Sequence, residues 1–394
     1  MDIPSFDEIF SQIKTNFWLS GIPFESPKIT LRFYFLVFSI SVTAACEIAF
    51  FISKISAENL IVLTQLAPCT CIGILASLKI VVICTKRLKI FKLTNCLSQL
   101  YKDIIDDDVK KDLVKQEFVF LKHLIKYFYV LNVVLISVYN FSTLVIILYR
   151  YLTTNKITFI LPYAVLVPFA TDTWPTWLVV YLHSIASGFI CVLYFITVDA
   201  LYFVTTTHVA SHFTLLSNEI LNYNGDTEVL NDIVKRHQHI LSLSEDLEDI
   251  FTAPNLFNVS VGSLEICALV FTLTMADWSD VPGGILFLFS VLLQIFMMSF
   301  FGEKIIRQSR NIGEAAYSCK WYKMDQKSKK TILQLIQRYV FYYIYLILIM
   351  ELVTLISVYI LCQNVTTSII FQIISTSWSY FTILKTVYKS PEAI

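Results

Sequence analysis

A series of eight long apolar runs, at about 31–53, 60–84, 127–149, 178–205, 257–276, 284–302, 339–362 and 365–386, constrains this chain more than anything else in it. Roughly 20 mostly apolar residues form a helix long enough to cross the hydrocarbon of a bilayer. Inside that hydrocarbon every backbone N–H and C=O must find its partner within the protein, which favours helices. Only Gln363 and Asn364 separate the last two runs. Two antiparallel spans do not readily reverse over two residues, so the expectation is seven crossings, with 339–362 packed at least in part against protein. Composition agrees: 56% of the 394 residues are hydrophobic and 15% charged, against about 25% charged in an ordinary soluble domain. With 9 Gly and 10 Pro, turns are few and helices long.

Lys and Arg set the orientation, because loops rich in them stay inside. With the N-terminus inside, ten fall in 85–126 and nine in 303–338, against five in all the outer segments. Seven crossings then leave the C-terminus outside. The sequence is read as an all-α membrane protein of seven transmembrane helices, with a cytoplasmic N-terminus and an extracellular C-terminus. Inner helical extensions are expected to continue below the membrane as a helical stalk. Its divisions are an N-terminal amphipathic segment (1–30), spans one to six (31–302), cytoplasmic helices (303–362) and a last membrane helix with its tail (363–394).

The opening "MDIPSFDEIFSQIKTNF" has no basic region ahead of an apolar core, so no cleaved leader is expected. Phe6, Ile9, Phe10, Ile13 and Phe17 share one helical face, suited to a membrane surface or to a protein groove. Among the inner segments, Leu230, Ile233, Val234, His237, Ile240, Leu241, Leu247 and Ile250 form a stripe that normally buries against other helices. The loop at 150–177 is longer than the other outer ones. Pro162, Pro168 and Pro175 give it the character of a folded lid.

Catalytic motifs such as GxGxxG, GxxxxGK[ST], HExxH and GxSxG are absent, so an enzyme is not expected. A net charge of zero argues against a nucleic-acid partner. The six histidines show no metal spacing, the nine cysteines read as small buried hydrophobes, and no cofactor is implied. Sequons at Asn140, Asn258 and Asn364 lie in apolar runs and are expected to carry no glycan. Four acids also fall within the runs: Glu47, Asp199, Glu265 and Glu351. Intramembrane charges face protein or water. Asp199 and Glu265 are read as hydrogen-bonded anchors rather than as an ion path. In the last run Gln372, Thr376, Ser379, Ile383 and Thr386 recur every three or four residues. Such a polar stripe either holds helices together or lines water.

After the sixth run, Gly302-Glu303, Ser309, Ile312, Ala316-Tyr317 and Trp321-Tyr322 resemble the signature of insect odorant receptors. "VDALYF" (198–203), "VKRHQHILSLSEDLEDIF" (234–251) and "SWSYFTIL" (377–384) are similar to further stretches of that family. The resemblance implies an odorant-gated, non-selective cation channel of four subunits, located in the plasma membrane of olfactory sensory neurons. Tuning subunits of this kind pair with a shared odorant receptor coreceptor, which has a longer second inner loop than this chain. On that reading 372–386 lines the pore, with Ile383 as its constriction. Ile305, Ser309, Ile312, Ala316, Tyr317 and Trp321 then form the subunit anchor. The chain lacks the final Gln-Phe of gustatory relatives, although a gustatory-type channel subunit remains the near alternative.

A small volatile ligand is expected in the outer halves of spans two, three, four and six. The candidate lining residues are Leu66, Thr70, Tyr139, Thr143, Ile147, Tyr181, Ser184, Ile185 and Phe287. Aromatic faces with isolated hydroxyls favour terpenoids or esters, and no countercharge for a charged ligand is evident among them. Two rival classes can be weighed on the same sequence. A metabotropic seven-helix receptor requires an outer N-terminus, against the charge bias. A transporter is expected to show internal repeats or broken helices, and neither is visible.

Overall fold

The computed structural model describes residues 2–23, 28–55, 60–275 and 281–337. The runs at 339–362 and 365–386 lie outside them, and with them the seventh crossing and all five stripe residues from Gln372 to Thr386. The described residues are helical, without strands. In order they form α1 (Phe6–Leu19), α2 (Leu31–Ser53), α3 (Leu60–Ile105), α4 (Asp108–Thr154), α5 (Trp174–Leu221), α6 (Thr227–Met275) and α7 (Val281–Ser318). A 3₁₀ turn at Trp321–Lys323 and a helical stretch from 326 to 337 follow. Six of these helices, α2 to α7, are long and apolar enough to cross a membrane.

Length explains the architecture. Helices α3 to α6 run 46 to 49 residues, or about 70 Å at 1.5 Å per residue. The hydrocarbon core takes up only about 30 Å of that. One half of each helix is apolar; the other half carries the basic residues in α3 and α4, mixed charges in α6 and no Lys or Arg in α5, and antiparallel connections bring these halves to one end. There they pack as a stalk. Leu230, Ile233, His237, Ile240, Leu241, Leu247 and Ile250 are buried, as their periodicity predicts. At the apolar end large side chains such as Phe35, Phe38, Val145 and Leu148 stay exposed, as expected where lipid or another chain provides the contact.

Helix α5 is the axis of the bundle and touches each of the other six. Every residue from 196 to 213 is buried, five turns enclosed on all sides. Among them Asp199 takes Lys79 Nζ from α3 at 2.7 Å and Gln294 Nε2 from α7 at 3.0 Å. Gln294 also reaches Asn258 Oδ1 on α6 at 3.4 Å. Four helices are therefore fastened at one level, and Asp199 is the anchor its position suggested.

Helix α1 resolves the choice between membrane surface and groove. Ile9, Phe10, Ile13 and Phe17 are buried in the bundle itself. Asn16 Nδ2 donates to Tyr129 Oη and Thr197 Oγ1 at 2.9 and 3.0 Å. Ser5 caps the helix by accepting from the Glu8 amide.

Candidate functional site

The segment between α4 and α5, 155–173, is irregular and folds back over the apolar end of the bundle. Helix α4 stops at Asn155, which takes the left-handed conformation (φ 53°). The segment is tied down at three points. The Leu166 amide donates to Cys46 O at 3.0 Å. Trp177 Nε1 donates to Ile160 O at 2.9 Å, and Tyr163 Oη to the buried Asn140 Oδ1 at 2.8 Å. This is the lid expected from its prolines, and Asn140, fully buried, is closed to glycosylation in the folded chain.

Tyr163 reaches far enough inward to need a gap in α5. A Cβ at Gly188 would lie 2.2 Å from its hydroxyl, so only glycine admits it there. The Tyr163 ring also lies 5.6 Å from that of Tyr139, whose hydroxyl is 2.9 Å from Cys69 Sγ.

Beneath Tyr163 is a cavity of about 220 Å³ bounded by α2 to α7. Its walls are mainly apolar and aromatic, including Ile72, Phe128, Leu135, Phe195, Phe287 and Val291. The polar groups on it are few: Thr43, Glu47, Asn132, Ser187, Glu265 and Gln294 among them. Binding cavities for small molecules have this character. Above it, between the lid and α2 to α4, a second hollow is lined by Leu66, Thr70 and Phe159. Glu47, Cys69, Tyr139 and Tyr163 border both.

Of the residues proposed from sequence, Tyr139 and Phe287 line the inner cavity, while Leu66 and Thr70 line the outer hollow. Thr143, Ile147, Tyr181, Ser184 and Ile185 line neither. Tyr181 stacks on Trp177 at 4.7 Å and donates to Asn140 O at 3.2 Å. It supports the lid's footing. Thr143 and Ser184 are buried. Glu47 and Glu265 on the cavity wall are the main addition, and they correct the expectation that no countercharge is available. In the stalk Ser309, Ile312 and Ala316 are buried within this chain, Ile305 and Trp321 are half-buried, and Tyr317 is 72% exposed.

Comparison with known proteins agrees with these features. The family model described as 7tm odorant receptor matches residues 59–362. The chain is 28% identical over 236 residues to odorant receptor 85b of Drosophila melanogaster, covering 58% of this chain and 57% of that protein. It is 30% identical over 149 residues to odorant receptor 67c of the same species, covering 36% and 37%. Its fold matches the olfactory receptor OR5 of Machilis hrabei with a TM-score of 0.76 at 17% identity, over 97% of this chain and 100% of that one. The same receptor in complex with eugenol matches with a TM-score of 0.77 at 17% identity, over 97% and 98%. A match over most of the length, joined to the membrane bundle, lid and cavity, fixes the affiliation: the chain belongs to the 7tm odorant receptor family and is a multi-pass membrane receptor rather than an enzyme.

Proposed function

We propose that this protein is an odorant-gated, non-selective cation channel subunit, with a small volatile ligand held in the cavity under Tyr163. The observation that carries the reading is the cavity itself: apolar walls, a handful of polar groups and a tethered lid. Terpenoid or ester skeletons suit those walls. Tyr139 and Phe287 serve as ligand contacts inside, with Leu66 and Thr70 on the approach.

The chain pairs with the odorant receptor coreceptor in a tetramer in the plasma membrane of olfactory sensory neurons, N-terminus inside. Gln372, Thr376, Ser379, Ile383 and Thr386 line the shared pore. The anchor set from Ile305 to Trp321 holds the stalk, and Tyr317 offers the exposed contact. Ligand binding opens the pore by favouring the conducting conformation, which requires tighter binding to that state. Coupling of ~1–3 kcal/mol shifts the equilibrium by one to two orders of magnitude.

The test is voltage clamp of cells expressing this chain with and without the coreceptor, challenged with terpenoid and ester volatiles. Ligand-evoked cation current that needs both chains supports the reading. A metabotropic response without current through the expressed proteins overturns it.

A further inference from the structure

Glu265 is 1% exposed, and its Oε1 has no hydrogen-bond partner although it sits on the wall of the cavity. The neighbouring cation that could serve it, Lys79, is committed to Asp199 at 2.7 Å and lies over the Phe195 ring at 3.5 Å. Glu47, also on the cavity wall, is buried as well, with its Oε2 near Gly73 on α3. The lining contains two carboxyl groups and, among the described residues, no Lys, Arg or His. A buried acceptor left unmade costs the full desolvation of that group, more so when it is charged.

We propose that the cavity takes a volatile amine, with the nitrogen at Glu265 and the carbon skeleton against Phe128, Phe287 and Leu135. This inference rests on the cavity being the ligand site. An amine supplies what the wall lacks in either protonation state. As a free base it brings N–H donors to Oε1. As an ammonium it brings the countercharge, and aromatic rings add attraction for a cation within about 6 Å. If the proton moves, it passes from the Glu265 carboxyl to the amine nitrogen and leaves an ion pair, with no other bond changed. An ester or ether can at most accept from a protonated Glu265, and brings neither a donor nor a countercharge to the carboxylate. An alcohol provides one donor and no charge.

The experiment compares 2-phenylethylamine with 2-phenylethanol, which share a skeleton and differ in the head group. Binding is read from the thermal unfolding of the detergent-purified full-length protein, so it does not depend on channel opening. The amine is expected to bind about tenfold or more tightly than the alcohol, the scale of a charge-assisted hydrogen bond. Glu265→Gln brings the two within about threefold, while Glu265→Asp keeps part of the difference. Equal affinity in the unsubstituted protein, or an amine preference unchanged in Glu265→Gln, overturns the proposal. Should Glu265→Gln fail to fold, the comparison in the unsubstituted protein decides alone. A protein gated by neutral esters yet indifferent to the amine sinks this inference and leaves the channel reading standing. One that binds the amine but passes no current does the reverse.

Discussion

Lys79 Nζ and Asp199 Oδ1 meet at 2.7 Å with side chains 1% and 0% exposed, joining α3 to α5 in the middle of the bundle. Taking two ions out of water is expensive, so such a pair stabilises mainly against the loss of one member. Lys79→Met is expected to destabilise the protein by ~3–5 kcal/mol, because the Asp199 charge stays buried without its cation; Asp199→Leu is expected to cost less, because Lys79 can turn to the neighbouring Glu265. The double variant is expected to recover a large part of that loss. Thermal unfolding in detergent and surface abundance check the cycle, and additive losses would mean that the two residues do not act as a pair.

The lid is expected to be sensitive at one atom. Tyr163→Phe removes the hydroxyl that donates to Asn140, a bond worth about 0.5–1.5 kcal/mol net. Amide exchange across 157–172 should then speed up about two- to tenfold. Gly188→Ala acts from the other side, since its added carbon would sit 2.2 Å from the same hydroxyl. It should push Tyr163 out of place and alter ligand dose–response curves. Unchanged exchange and unchanged ligand ranking in both variants would remove Tyr163 from any part in closing the cavity.

Helix α1 is expected to be structural cement rather than a detachable membrane-surface element. Phe10 is fully buried, and Phe10→Ala should cost about 3–5 kcal/mol. Asn16→Ala should also destabilise, because Tyr129 and Thr197 lose a shared donor. Proteolysis of the N-terminal segment in membranes provides the readout. Cleavage no faster in Phe10→Ala than in the unsubstituted protein would contradict the docking.

The pore assignment makes a separate prediction outside the described residues. Ile383→Ala should raise basal current or alter gating, whereas Leu384→Ala, one residue off the stripe, should do less. Equal effects at both positions would favour ordinary packing over a constriction.

Amphipathic segments were legible in the sequence. The stripe from Leu230 to Ile250 and the face from Ile9 to Phe17 stand out because polar residues mark the opposite side. Within the apolar runs that contrast disappears. Rotation about the helix axis is then set by neighbouring helices and interfacial anchors, which explains why Tyr139 and Phe287 line the cavity while Thr143 and Ser184 face other helices. The acids in the spans marked protein-facing positions without telling an anchor from a ligand contact. Asp199 and Glu265 carried the same expectation, and only one has a salt bridge. The difference lies in Lys79, 120 residues from Asp199, and no local spacing reveals a pairing that distant.

The length of α5 carries a mechanical corollary. An uninterrupted rod of 48 residues, stiffened by neighbours on every side along its middle, would transmit a tilt along its whole length. One degree of tilt about one end of its ~70 Å would displace the other end by about 1 Å. A guest molecule that nudged the wall at Ser187 and Cys191 would then act directly on the distant stalk, with no hinge required in between.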